Sequence, residues 1–216
     1  MVMHIWGSRR NRAIAKSFIT TIAPVLSKEF ALVGFGTSKP NTLDSDADVP
    51  FSIDSVMKEK GNEEFVTYAT GRQNIAFLHA TIKLKRRNNL VGLVFEQALS
   101  FFFDTFPMPK DKVTITIAPA DGTAMGKSDP SSKYENFIWA LVNKSGMKRW
   151  RMERYDLSLT RTSDWEGLPN WLAVMGESKE IGDLCLYTEL KAVVKDCQEI
   201  LQYLIVTDMP KDKPSK

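Results

Sequence analysis

The chain has 216 residues, 43% hydrophobic and 25% charged, with a formal net charge of +3 at pH 7. This is ordinary globular composition, enough for one sizeable core, and the charge is too mild to mark the chain as a nucleic-acid binder. The two cysteines, Cys185 and Cys197, have neither metal-ligand spacing nor a disulfide framework, which points to a reducing, cytosol-facing compartment.

The first six residues, Met1 to Trp6, are apolar, and from Met1 to Lys28 there is no acidic residue but Arg9, Arg10, Arg12, Lys16 and Lys28. The stretch lacks the apolar core and cleavage site of a signal peptide, and no segment has the roughly 20 apolar residues that a spanning helix needs. It reads either as an ordinary start or as the cytosolic end of a transmembrane helix, where Trp followed by basic residues is at home. Ile14, Phe18, Ile22, Val25 and Leu26 give residues 12–29 a helical stripe, which Pro24 is expected to kink or cut short. Ala31 to Phe35 reads as a short strand. Residues 36–62 and 121–133 are polar, with Pro or Gly, and are expected to be the most mobile internal loops.

Phe65–Ala69 and Ile75–Leu84 read as strands joined by a tight turn at Gly71. In the second, Phe77, His79, Thr81 and Lys83 alternate with Leu78, Ala80, Ile82 and Leu84. A basic cluster, Lys83, Lys85, Arg86 and Arg87, ends that strand at the sheet rim. Asn88 or Asn89 can then cap a helix in which Leu90, Leu93, Val94, Leu99, Phe101, Phe102 and Phe103 predict deep burial, closed by Pro107 and Pro109. Val113, Ile115 and Ile117 alternate with threonines in a half-exposed strand, and Phe137–Val142 predicts another.

Ser145 is placed to cap a helix through Met147, Trp150, Met152, Tyr155 and Leu159. Leu168–Met175 reads as a short helix. Thr188 is expected to cap a last helix bearing Leu190, Val193, Val194, Cys197, Leu201 and Leu204. These intermixed elements predict an α+β fold with a mainly antiparallel sheet packed with helices. The predicted organisation is a single compact domain over residues 9–209, between a stub at 1–8 and a disordered tail at 210–216.

Catalytic signals are weak. Asp44, Asp46 and Asp48 resemble the opening of a calcium loop, but Val49 stands where glycine must turn the chain and Ser55 where a bidentate Glu is needed. Gly126-Lys127-Ser128 lacks the leading glycine of a phosphate loop, since Asp121 stands there. His4 and His79 are the only histidines, too few to argue a triad. No catalytic, cofactor or metal residues are assigned, and the reading is non-enzymatic. The docking candidates are the basic clusters Lys83, Lys85, Arg86, Arg87 and Lys148, Arg149, Trp150, Arg151, Arg154. Such clusters can hold phosphate or anionic headgroups, or serve only as solvated faces. The alternative is a lipid- or small-molecule-binding domain, with enzymatic activity as one form of it.

An ordered set of segments resembles the cytosolic domain of the calumin family, coiled-coil domain-containing protein forty-seven, in its fungal form. The set is Asn11-Arg12, Phe30–Gly34, Gly71-Arg72, Lys85–Leu90, Asp111–Ile115 and Leu168–Glu177, spanning roughly residues 7 to 205. The resemblance implies an endoplasmic reticulum membrane protein with an acidic lumenal segment, one transmembrane helix, this cytosolic domain and a basic coiled coil. It implies work in the PAT complex, an intramembrane chaperone for multipass membrane protein clients, beside the Sec translocon and ribosome, with rRNA contact included. The expected partners are the small membrane protein Asterix and the ER membrane surface, and the family is linked to calcium homeostasis and ER-associated degradation. It favours the juxtamembrane reading of Met1–Trp6. Calcium binding by a lumenal segment and ribosome contact by a coiled coil are not expected of these 216 residues.

Overall fold

The computed structural model describes residues 2–35, 53–103, 106, 108–120, 137–197, 200–209 and 211–213. The chain falls into two units, Met1–Ser128 and Asp129–Lys216. Each carries an antiparallel sheet and helices, so the α+β class and the antiparallel pairing are as the sequence predicts.

In the first unit α1 (Val2–Glu29) is a single helix with Pro24 inside it. Pro24 lies on the exposed side, as does Thr20, whose carbonyl it cannot pair, so solvent can take that place. The buried stripe is Gly7, Asn11, Ala15, Ile19, Ala23, Leu26 and Phe30, a step of about four residues. It is rotated from the apolar stripe of the sequence: Ile14, Phe18 and Ile22 flank it and Val25 is exposed. The reason is closeness, because Gly and Ala let the helix axis lie nearer the sheet than a row of large side chains would.

Beneath α1 lies a sheet in the order β1 (Leu32–Val33), β3 (Glu64–Thr70), β4 (Ile75–Lys83), β5 (Lys112–Pro119), with β2 (Lys58–Glu59) also paired to β3. Gly71, at φ +88°, and Asn74, at φ +64°, make the β3–β4 turn. The alternation predicted for β4 holds: Leu78, Ala80, Ile82 and Leu84 are buried and Lys83 is exposed. The register pairs Ile82 with Val113, Ala80 with Ile115 and Leu78 with Ile117, so the apolar face runs on into β5. β5 is the edge strand, and there Val113, Ile115 and Ile117 are exposed. Of the two predicted mobile loops, 36–52 and 121–133 lie outside the described residues. Residues 53–62 instead hold α2 (Ile53–Val56) and β2, with Val56 and Met57 buried in the α1 core.

The helix after the basic rim, α3 (Leu90–Phe102), forms as predicted, with Asn89 Oδ1 accepting from the Gly92 N–H at 3.0 Å. Its predicted burial does not hold, because α3 has no buried residue. Val91, Phe101 and Phe102 are 82%, 84% and 76% exposed. α1 already covers that sheet's apolar face over β3 and β4.

The second unit is a three-layer arrangement around a sheet ordered β7 (Arg161–Ser163), β8 (Leu172–Gly176), β6 (Ile138–Asn143), β9 (Tyr203–Thr207). Every residue of β6 is buried. Ile138, Ala140 and Val142 pack with Trp150 and Leu157, from α4 (Met147–Glu153) and α5 (Tyr155–Ser158). Trp139 and Leu141 face Leu186 and Val194, beside α6 (Lys179–Cys185) and α7 (Thr188–Asp196). Three expectations fail in this unit. Leu168–Met175 is not a helix: its second half is central strand β8, whose β-branched and apolar run suits burial on both faces. Ser145 caps nothing; Asn143 Oδ1 accepts from the Ser145 N–H at 3.0 Å, and the helix that follows is split at Arg154, whose backbone is extended. The last helix ends at Asp196, its N-cap is Tyr187 without a side-chain bond, and Leu204 belongs to β9. At the predicted tail, the Lys211 carbonyl accepts from the Tyr155 N–H at 2.9 Å.

Leu141→Ala, at a fully buried site, is expected to cost about 2–5 kcal/mol, while Phe101→Ala stays within about 0.5 kcal/mol of wild type. Urea unfolding of the two variants checks the contrast between a core strand and an uncovered helix.

Candidate functional site

The basic segment at the end of β4 folds into a rim junction of the first unit. Asn11 is fully buried, which for an amide demands partners. Its Nδ2 donates to the carbonyls of Asn62 and Lys85, both at 3.0 Å, and its Oδ1 accepts from Arg87 Nη1 at 3.0 Å. The same Arg87 forks onto Asp111, with Nη1 to Oδ1 at 3.0 Å and Nη2 to Oδ2 at 2.6 Å. The Lys85 N–H also donates to Asp111 Oδ1, at 2.9 Å. Partial burial of Asp111 opposes its charge, but the Arg87 hydrogen bond, the Lys85 N–H and the two positive charges outweigh that, so its carboxyl sits below the usual value. Beside this network a Cβ on Gly7 would stand 2.1 Å from the Arg87 carbonyl oxygen, so α1 touches the rim backbone directly.

The predicted docking residues are therefore not equivalent. In the first cluster Arg87 is committed to this network, and Arg86 reaches Glu63 at 3.1 Å and Glu96 of α3 at 3.2 Å. Lys83 is exposed and Lys85 half-buried. In the second unit, Arg154 forks onto the fully buried Asp156, with Nη2 to Oδ2 at 2.5 Å. Arg151 Nη2 donates to the Thr160 carbonyl at 3.1 Å and Thr162 Oγ1 at 2.7 Å. Trp150 is buried against Tyr203, and Arg149 lies over its ring at 4.2 Å from the centroid. Lys148 is exposed.

Other chemistry-bearing groups stand apart. His79 lies on the sheet face away from α1, opposite Tyr68 and Thr116, with Thr81 Oγ1 at 3.5 Å from its Nδ1. Burial raises the Cys185 thiol, which makes it a poor nucleophile. Among the described residues no three His, Cys, Asp or Glu side chains gather as a metal site. Between α1 and its sheet a cavity of about 40 Å³ is lined by Ile19, Ala23, Leu78, Ala80, Ile115 and Thr67, whose hydroxyl is buried without a partner. That volume suits water rather than a small-molecule ligand, whose sites measure about 300–1,000 Å³.

A family model described as PAT complex subunit CCDC47 matches residues 1–216. The chain belongs to this family. It is 28% identical over 212 residues to a UPF0674 endoplasmic reticulum membrane protein of Schizosaccharomyces pombe, covering 98% of this chain and 52% of that protein. A second UPF0674 endoplasmic reticulum membrane protein, from Saccharomyces cerevisiae, is 28% identical over 166 residues, 72% of this chain and 41% of its own length. The chain thus spans about half the length of the first of these relatives. Within the CCDC47-family chain, Asn11, the Lys85–Leu90 segment and Asp111, which carry the sequence resemblance, meet in one network. Their convergence was not readable from the sequence. Its local signal is the step of four from Gly7 through Asn11, Ala15 and Ile19 to Ala23, a helix face built for close approach.

Two outcomes follow from the junction. Gly7→Ala is expected to lower stability, although alanine in a helix interior is worth about 0.5–1 kcal/mol over glycine, because its methyl group collides with backbone. A higher melting temperature in this variant would refute the close contact. For Asp111, a lowered carboxyl pKa contributes stability that is fully present above the unfolded value of about 3.9. That contribution is lost as pH falls through the lower folded value. Asp111→Asn is expected to cost on the order of 1 kcal/mol at neutral pH and to flatten the acid limb of stability against pH, measured by denaturant melts across that range.

Proposed function

We propose that this chain is the cytosolic scaffold domain of a PAT-complex subunit, a non-enzymatic module that docks at the Sec translocon and ribosome while multipass membrane proteins are made. The observation that carries the reading is the match of the whole chain to the PAT complex subunit family. The relatives' description as endoplasmic reticulum membrane proteins supports a place at that membrane. In this reading an Asterix-type membrane protein is the partner within the bilayer, and α1 begins close to the membrane surface, with Trp6 and Arg10 at headgroup level.

The docking candidates Lys83, Lys85, Arg86, Arg87, Lys148, Arg149, Trp150, Arg151 and Arg154 differ in exposure, and Trp150, being buried, is set aside. Arg87, Arg151 and Arg154 also hold the fold, through the internal bonds described above. Lys83 and Lys148 are exposed and can meet a polyanionic surface at little cost to folding.

Lys83→Glu with Lys148→Glu is expected to leave the melting temperature within a degree or so of wild type, since exposed charges contribute roughly 0–1 kcal/mol. It should weaken co-sedimentation with ribosome–translocon complexes from microsomes most strongly at low salt. Wild-type chain that does not sediment with these complexes at any salt would overturn the docking reading. Sedimentation unchanged in the folded double variant would remove these lysines from it.

A further inference from the structure

We infer that α3, together with the exposed first turns of α1, is a membrane-interfacial insertion: it lies in the headgroup region of one phospholipid leaflet. The inference rests on the membrane-surface reading above and gives it a specific contact. Among the described helices α3 alone buries no residue, and its sequence, LVGLVFEQALSFF, carries a single charge. Val91, Val94, Phe95, Phe101 and Phe102 are exposed, and Phe103, Phe106 and Met108 extend the apolar surface beyond the helix. A helix apolar on most sides belongs in a core or in lipid. At 13 residues it is roughly 20 Å long, short of the about 30 Å needed to span, so it can lie in the interface but not cross.

The polar groups agree with that placement. Glu96, the one charged side chain of α3, is met by Arg86 at 3.2 Å, and so brings no bare anion to the lipid. The Ser100 hydroxyl donates within its own helix to the Gln97 carbonyl at 2.9 Å. Cations flank both ends: Lys83 before the helix and Lys110 after it, both exposed. Such residues reach phosphates while apolar neighbours insert.

The second, independent observation is the corner that α1 shares with α3. Gly7 lies against the backbone of Arg87 and Asn88, immediately before α3 starts at Leu90. The exposed Met3, Ile5 and Trp6 of the preceding turns are thereby brought to the N-terminal end of α3. Arg10 lies 5.6 Å from the Trp6 ring centroid, the aromatic-plus-cation pairing of a headgroup layer. Apolar surface spread around a helix, ringed by cations and beside an interfacial Trp, fits a fluid leaflet better than a protein groove, which would read one stripe.

The test uses the 216-residue chain and vesicles of phosphatidylcholine with a minority of phosphatidylserine, read by flotation across a salt series. Wild-type chain is expected to float with the vesicles and to stay largely bound at high salt, because the attachment is mainly apolar. Phe95→Ser, Phe101→Ser and Phe102→Ser together should lower partitioning at least about tenfold with an unchanged melting curve, since all three side chains are exposed. Brominated-lipid quenching of tryptophan fluorescence should be reduced in Trp6→Phe. Failure of the wild type to float, or equal flotation of the triple variant, would overturn the inference. So would a wild-type dimer that the triple variant dissociates in the absence of vesicle binding, since a second copy would then cover α3. A chain that sediments with ribosome–translocon complexes but ignores vesicles sinks this inference and leaves the docking reading standing; the opposite pair of results sinks the docking reading alone.

Discussion

The first unit depends on how one buried amide is satisfied. Asn11 sits on the inner face of α1 with no exposed surface, and its three hydrogen bonds go to two separate stretches of chain, at Asn62 and at Lys85 and Arg87. An amide left unpaired in such a place costs about 1–3 kcal/mol, so the register of α1 along the sheet is restricted to the one that supplies all three partners. Arg87 passes the constraint on to Asp111, one residue before β5 begins at Lys112. The helix, the β4 exit, the start of α3 and the start of β5 are thereby fixed by a chain of three polar side chains.

The close approach that makes this network possible has a second consequence. With Gly7, Ala15 and Ala23 on the inner stripe, α1 sits low over β3 and β4 and fills the space above them. It does not extend over β5, where the same apolar face continues as Val113, Ile115 and Ile117 and is exposed. The uncovered apolar surface of this unit is thus a product of tight packing at its centre. The helices of the second unit differ: α4, α5, α6 and α7 each bury at least one residue, Trp150, Leu157, Gly182 and Val194 among them.

What the sequence disclosed were features set by neighbours along the chain. The period of two in β4, the Asn89 cap and the turn at Gly71 each depend on a few adjacent residues, and each stands in the structure. What it concealed depends on distant partners. Leu172–Gly176 looks helical in isolation, and only the strands β6 and β7 on either side make it a strand. Leu204 keeps helical spacing with Leu190 and Leu201 yet pairs with Leu141 in the sheet. The apolarity of α3 was plain, but composition says only that a helix avoids water, not whether protein or lipid receives it. The basic clusters were legible as clusters. That Arg87, Arg151 and Arg154 face inward onto Asn11, Asp111, Thr160 and Asp156 was not, because each partner lies at a separation that no local pattern encodes or, for Asp156, within a stretch that reads as one unbroken helix.

The division of labour between the basic side chains bears on how this surface attracts a partner. Arginine presents a rigid planar fork and loses less on pairing than lysine, so it suits the buried and bidentate positions. Arg87 on Asp111 and Arg154 on Asp156 are of that kind, whereas the Arg12 fork onto Glu59 lies at the surface. Arg87 and Arg154 are thereby mostly covered and paired within the fold. Many cations remain exposed, Arg9, Arg10, Lys28, Lys83, Lys110 and Lys148 among them. Attraction through such exposed charges is screened beyond about 8 Å at physiological salt. Burial of apolar surface is screened by no salt and can add affinity at short range. In the first unit that surface is concentrated where the arginine network has set it, along α3 and the first turns of α1.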